Sequence, residues 1–154
     1  MLLQWTLARL NQLSPVDVHD MLSLRSEVFV VEQACVFQDP DGADLSSTHL
    51  LGRSVEGHLA AVLRIVDPGV KYAQPSIGRV VCAPALRGRG LGRELFAQGV
   101  RHCRTLWPGQ GIRISAQARL QNFYEAYGFV VQGPAYLEDG IPHLEMFLKP
   151  EVQA

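Results

Sequence analysis

The stretch ALRGRGLGRELF, residues 85–96, alternates Gly88, Gly90 and Gly92 with Arg87, Arg89 and Arg93. A helical pattern starts at Leu91, and the preceding SIGRVVC, residues 76–82, reads as a strand. The segment is therefore a strand, a glycine-rich turn and the mouth of a helix. The first backbone N–H groups of a helix have no partners inside it, and the helix dipole favours negative charge in front of them. Glycines let a backbone approach a phosphate with no side chain in between. The arginines add positive charge, and the whole reads as a pyrophosphate cradle. A Walker loop is excluded, because Arg93-Glu94 stands where Lys-Ser or Lys-Thr is needed. A Rossmann fingerprint is disfavoured, because the glycines are spaced G-x-G-x-G and several strands precede them. On this segment alone, a glycine-rich turn with solvated arginines stays open.

Working outward, LQWTLA at residues 3–8 reads as a first strand. Ser14-Pro15 reads as an N-cap with proline at the first helical position, opening a helix expected to run to about Glu32. The next stretch carries Asp39, Asp41 and Asp44 around Pro40 and Gly42 and reads as an acidic loop, solvated or facing a substrate. It is not an EF-hand, since the twelfth-position glutamate and the flanking helices are missing. HLLGRSV and HLAAVLRIVD are apolar segments separated by Glu56-Gly57, a hairpin signal. After the glycine-rich turn, Leu91, Leu95, Phe96, Val100 and Cys103 mark one face of a helix to about Leu106. GIRISAQ follows as a strand, LQNFYEAYG as a short helix stopped by Gly128, and FVVQG and HLEMFLK as closing strands. The order implies an α/β fold with an α+β mixed sheet.

The 154 residues set one domain as the expectation for residues 1–154. A net charge of −1 gives no support for nucleic-acid binding. No apolar run approaches the roughly 20 residues of a membrane helix, and the N-terminus lacks the basic start and cleavage site of a signal peptide. Cys35, Cys82 and Cys103 have no metal-ligand spacing, and their odd number disfavours a disulfide framework. No metal is expected. A cytoplasmic enzyme or binding domain fits these features best.

A second segment gives the first its meaning. LQNFYEAYGF, residues 120–129, puts Asn122, Tyr124 and Tyr127 on the short helix ending at Gly128-Phe129. The pair of segments resembles the GNAT superfamily of N-acetyltransferases. The R/Q-x-x-G-x-G/A motif appears as Arg87, Gly90 and Gly92, with Pro84 also in place. The motif of an aromatic residue, Tyr-Glu, two further residues and Gly-Phe appears as Phe123, Tyr124, Glu125, Gly128 and Phe129. The resemblance extends over almost the whole chain and is similar in detail to the ElaA type of bacterial GNAT protein. It departs at Gln117, where many relatives carry an asparagine that helps hold the cofactor. Asn122, close by, is the other candidate for that contact.

The resemblance implies a central, mostly antiparallel sheet whose middle strands splay apart, flanked by helices. It implies acetyl-CoA as acyl donor, its pantetheine arm bonded by the backbone of Val80, Val81 and Cys82. The pyrophosphate would be held at Arg87, Gly88, Arg89, Gly90, Leu91, Gly92 and Arg93. An amine would then attack the thioester directly, with an oxyanion held by a backbone N–H near Val81 and Tyr124 protonating the leaving thiolate. A packed aromatic with a wet hydroxyl is the plain alternative for Tyr124, and Tyr127 reads as core or rim packing. Glu32, Asp44, Glu138 and His143 are the candidates for the general base, and Asp44 and Glu138 for binding a cationic acceptor. Cys82 lies in an apolar strand without an activating histidine and is not read as a nucleophile. The acceptor is the primary amine of a small molecule or peptide, with neither nucleic acid nor membrane as partner, and a homodimer stays open as an assembly. Two rival readings are an acyl-homoserine-lactone-synthase-like acyltransferase, suggested by Arg25 to Phe29 and the acids after them, and a non-catalytic sensor of acetyl-CoA.

Overall fold

A computed structural model describes residues 2–152 of the protein. Strands β1 (Gln4–Arg9), β2 (Ser47–Arg53), β3 (Leu59–Val66) and β4 (Ser76–Cys82) pair antiparallel in that order. Trp5 stands directly opposite Gly52 across the β1–β2 pair, and a Cβ at Gly52 would come within 2.7 Å of the indole. Glycine there gives the ring room to lie flat on the strand. In a second antiparallel sheet, β8 (Ile141–Leu148) pairs with β5 (Ile112–Gln117), β6 (Val130–Val131) and β7 (Tyr136–Glu138).

The two sheets meet where β4 and β5 begin: the Arg113 N–H donates to the Pro75 carbonyl at 3.1 Å. No ladder joins β4 to β5 among the described residues, and a cleft opens between them further along. This is the splayed, mostly antiparallel arrangement that the family resemblance implies.

Helices cover the sheets on both sides. Helix α1 (Pro15–Arg25) buries Met21 and Leu24 against Leu51, Val62 and Val81. Helix α2 (Leu91–Leu106) buries Leu91, Leu95, Phe96 and Cys103 against a group that includes Leu63, Ile65 and Ile77. Val62 and Leu63 thus point to opposite faces of β3, as successive strand residues do. Gly99 lets α2 lie close on the sheet, since a Cβ there would sit 2.6 Å from a Leu63 methyl. Helix α3 (Gln121–Glu125) is shorter than the sequence pattern suggested, and β7 was not foreseen in it.

The first helix starts as expected, with Ser14 Oγ accepting from the Asp17 N–H at 3.0 Å. Its reach to Glu32 also matches, but Ser26–Glu32 winds as π-helix. There the Gln33 and Cys35 N–H groups reach back five residues, to the Val28 and Val30 carbonyls. π-Turns are rare and concentrate at functional sites. This one keeps Val28 in the core while Phe29, Glu32 and Gln33 line the cleft.

Candidate active site

The cleft between β4 and β5 encloses about 470 Å³. Val80, Val81 and Cys82 form one wall, and Ser115 and Gln117 form the other. Strand β4 is not regular there. Val62 pairs with Val81 and Arg64 with Gly78, so Arg79 and Val80 both stand opposite Leu63. Arg79 adopts φ +50°, in the left-handed region. Such a bulge takes backbone polar groups out of the ladder and re-aims the strand. It lies on the cleft wall, beside the residues assigned by resemblance to the pantetheine and the oxyanion.

The acidic loop holds this bulge in place. Arg79 lies 2.9 Å from Asp39 Oδ1, donates to the Asp39 carbonyl at 2.9 Å, and stacks its guanidinium over Phe37. Asp39 also accepts from Arg25 Nε at 2.8 Å. Asp44 accepts from Arg25 and from Arg64, both at 2.9 Å, and Arg64 reaches Asp41 at 2.6 Å. Three arginines thus balance three aspartates behind the cleft wall. Burial pushes the Asp44 carboxyl up, but the hydrogen bonds and charges of Arg25 and Arg64 outweigh it and hold it below the ordinary range. At Asp41 burial is likewise overcome, by Arg64, Arg79 and Lys71, leaving that carboxyl far below the usual value.

This corrects the expectation of a substrate-facing acidic loop. Asp44 is 5% exposed and spent on two arginines, so it is neither an acceptor-binding carboxylate nor a free base. His49 closes the network, its Nε2 donating to the Asp44 carbonyl at 3.0 Å. Burial, opposed by that bond, pushes its pKa below the ordinary value and keeps the ring neutral.

The glycine-rich turn lies at one end of the cleft. Gly88 and Gly90 have φ of +82° and +76°, and a Cβ on either would meet nothing within 4 Å. Gly90 caps α2, whose first internal bond runs from the Glu94 N–H to the Gly90 carbonyl. The N–H groups before Glu94 are left pointing forward into open space. Arg87 reaches into the cleft but is tied to Glu32 at 2.8 Å, so Glu32 is a partner of the cradle rather than an unengaged base. Cys82 borders the cleft with its thiol pushed up by burial.

Tyr124 is brought to the cleft by α3 and packs edge-on against Phe96, with ring centroids 5.1 Å apart. Its hydroxyl has no hydrogen-bond partner among the described residues. Burial pushes that hydroxyl up to about 12, against the opposing charge of Arg119. Tyr127 packs on Phe96 and donates to the Arg93 carbonyl at 2.9 Å, which fixes α3 to the start of α2. Of the two amide candidates, Gln117 lines the cleft and Asn122 does not. Gln117 donates to Gln33 at 3.3 Å and accepts from Arg119 Nε at 3.0 Å.

The far side of the cleft carries His143 and Glu138, paired at 3.3 Å through His143 Nε2. His143 Nδ1 lies 2.7 Å from the Ile141 carbonyl, which can only accept, so Nδ1 carries a proton. Tyr136 stacks on the imidazole and lies 2.5 Å from Ser115 Oγ, which reaches Glu138 at 3.4 Å. Sequence reasoning missed Arg119, Ser115, Tyr136 and Gln33. They are polar residues without a spacing signature: Ser115 and Tyr136 meet through the pairing of β5 and β7 with β8, Arg119 comes from the turn after β5, and Gln33 from the end of the π-helical segment.

The profile described as an acetyltransferase (GNAT) domain matches residues 27–150. Protein ElaA of Escherichia coli is 39% identical over 147 residues, spanning 94% of this chain and 95% of the relative. Its crystal structure superposes with a TM-score of 0.89 at 37% identity, covering 96% of this chain and all of that one. An acyl-CoA N-acyltransferase from Pseudomonas aeruginosa is 42% identical at a TM-score of 0.90, covering 96% of this chain and 99% of that one. The splayed sheet, the two motifs and these relatives agree: the chain belongs to the GNAT family, among its ElaA-like members, and is an N-acetyltransferase of that type.

Proposed function

We propose that the protein transfers the acetyl group of acetyl-CoA to a small primary amine by direct attack in the β4–β5 cleft. The observation that carries this reading is the cleft itself, with an uncapped helix N-terminus at one end and the Tyr124 hydroxyl at its side. The N–H groups of residues 88–93 receive the pyrophosphate, and the backbone of Val80, Val81 and Cys82 receives the pantetheine. A peptide N–H released by the Arg79 bulge is available to the thioester oxygen as negative charge develops on it.

The acceptor enters from the side of His143 and Glu138. An alkylamine resembles lysine, so about one molecule in 10³ is free base at neutral pH. With its Nδ1–H held by the Ile141 carbonyl, His143 turns Nε2 to the cleft beside the Glu138 carboxylate. An ammonium can donate one N–H to each. Proton transfer to Nε2 then leaves the amine nucleophilic, and Glu138 stabilises the imidazolium. With the three aspartates neutralised by arginine, Glu138 rather than the acidic loop holds the acceptor's charge.

Thiol release from acetyl-CoA, followed across a panel of small primary amines and peptides, tests the reading. Amine-dependent release, with the product gaining one acetyl group by mass spectrometry, is the expected result. Release that no amine in the panel accelerates contradicts it.

A further inference from the structure

The arginine–aspartate network behind the cleft wall leaves one cation over. Arg25, Arg64 and Arg79 balance Asp39, Asp41 and Asp44. Asp41 already accepts from Arg64 at 2.6 Å and from Arg79 at 3.3 Å, and Lys71 approaches it only to 3.8 Å. Lys71 is the surplus charge. With 44% of its side chain open to solvent, it is also the most exposed member of the group.

The loop between β3 and β4 carries this lysine and is pinned at both ends. Asp67 accepts from Arg9 at 2.8 Å, and Gln74 accepts from Arg113 Nε at 3.0 Å. Arg113 and Ser115 lie on one face of β5, about 7 Å apart, as alternate strand residues do. Ser115 in turn meets Tyr136 and Glu138. The loop thus ends one strand repeat from the Glu138–His143 pair. Next to Lys71, Tyr72 is half-buried in the cleft lining. Burial, and then the neighbouring Tyr136, Glu145 and Glu138, push its hydroxyl up to about 12, so it stays a donor. Gly78, opposite Arg64 in the strand register, keeps space open here, since a Cβ there would meet nothing within 4 Å. Lys71, Tyr72, Gly78, Ser115, Glu138 and His143 all line the one cleft, and Asp139 adds a second carboxylate next to Glu138.

Carboxylates at one place, with an unneutralised ammonium and a phenol donor at another, match a small molecule that carries both signs of charge. We propose that the acceptor is a free amino acid or a similar small zwitterion, its carboxylate received by Lys71 and the Tyr72 hydroxyl and its amine by Glu138 and His143. The assignment rests on the acetyl-transfer reading above and narrows its acceptor from primary amines at large. The other cations of the cleft do not replace Lys71. Glu32 neutralises Arg87, and Arg119 is held by Gln117 at the opposite end of β5 from Gln74. A plain diamine would bring its second ammonium against Lys71 and be disfavoured.

Paired acceptors test the assignment. Amino acids of increasing chain length, from glycine and β-alanine to γ-aminobutyrate and lysine, are each set against the amine left by removing the carboxylate. Thiol release from acetyl-CoA is followed with the full chain, and kcat/KM is referred to the free-base concentration of each amine. For the chain length that fits, the amino acid should exceed its decarboxylated partner at least about tenfold, mainly through KM, as a hydrogen bond to a charged group gives. Lys71→Gln should cut that ratio about tenfold, and Lys71→Glu should invert it. Lys71→Arg should retain the preference, and Tyr72→Phe should weaken it. Decarboxylated amines used as well as the acids throughout the series overturn the proposal. So does a Lys71→Gln loss that falls equally on both members of a pair, and so does a peptide preferred over the free amino acid. Thiol release that no member of the series accelerates, in a chain that binds coenzyme A by calorimetry, contradicts the acetyl-transfer reading itself and takes this assignment with it.

Discussion

Asp44 shows how far a residue's environment decides its role. The carboxylate accepts from two buried arginines, and removing one partner of such a group leaves uncompensated charge in the interior. Asp44→Asn should therefore destabilise the protein by about 3–5 kcal/mol in urea unfolding. A variant of native stability would show that Arg25 and Arg64 find other partners. His49, below the same network, makes stability depend on pH. Burial holds its folded pKa below the ordinary 6.5, so the unfolded chain takes up a proton before the folded one does. Its contribution is full above about pH 6.5 and is lost as pH falls from there towards the folded value. In His49→Gln, the fall in melting temperature between pH 7 and 5 should be shallower than in the native protein. An identical slope would place the acid sensitivity elsewhere.

At the scale of elements, the mouth of α2 bears the cofactor assignment. Gly90 sits at φ +76° with nothing within 4 Å of where a Cβ would go, so a side chain there would project into the space the proposed function gives to the pyrophosphate. Aspartate tolerates left-handed backbone better than most residues, so Gly90→Asp should fold while placing an anion beside the phosphates. Calorimetry should show coenzyme A affinity falling at least about tenfold. Unchanged affinity in the folded variant would move the pyrophosphate elsewhere. This turn and helix were legible in the sequence because their signals are local: alternating glycines, a cap and a 3.6-residue period. The Ser14 cap and the strand around Val80 were legible for the same reason. The Arg79 bulge was not, because it exists only in the register of β3 against β4. Nor was the π-winding of Ser26–Glu32, whose sequence reads as ordinary amphipathic helix. The aspartates were visible as acids, but their neutralising arginines come from α1, β3 and β4, far away in the chain.

For the whole molecule, function follows from two sheets that touch at one end and part at the other. Helices α1 and α2 pack on opposite faces of the first sheet, and β4 forms no ladder with β5 among the described residues. The network of three arginines and three aspartates backs one wall of the opening, and the aromatic group around Phe96 packs against Tyr124 at its side. In the proposed reaction, donor and acceptor approach from different sides, the donor along residues 88–93 and the acceptor past Glu138 and His143. The most direct measurement of this account is a crystal structure of the protein with coenzyme A. The account predicts pyrophosphate oxygens on the N–H groups of residues 88–93, the pantetheine between Val81 and Gln117, and the sulphur beside Tyr124. A coenzyme bound outside the β4–β5 cleft, or one whose sulphur points away from Tyr124, would contradict it.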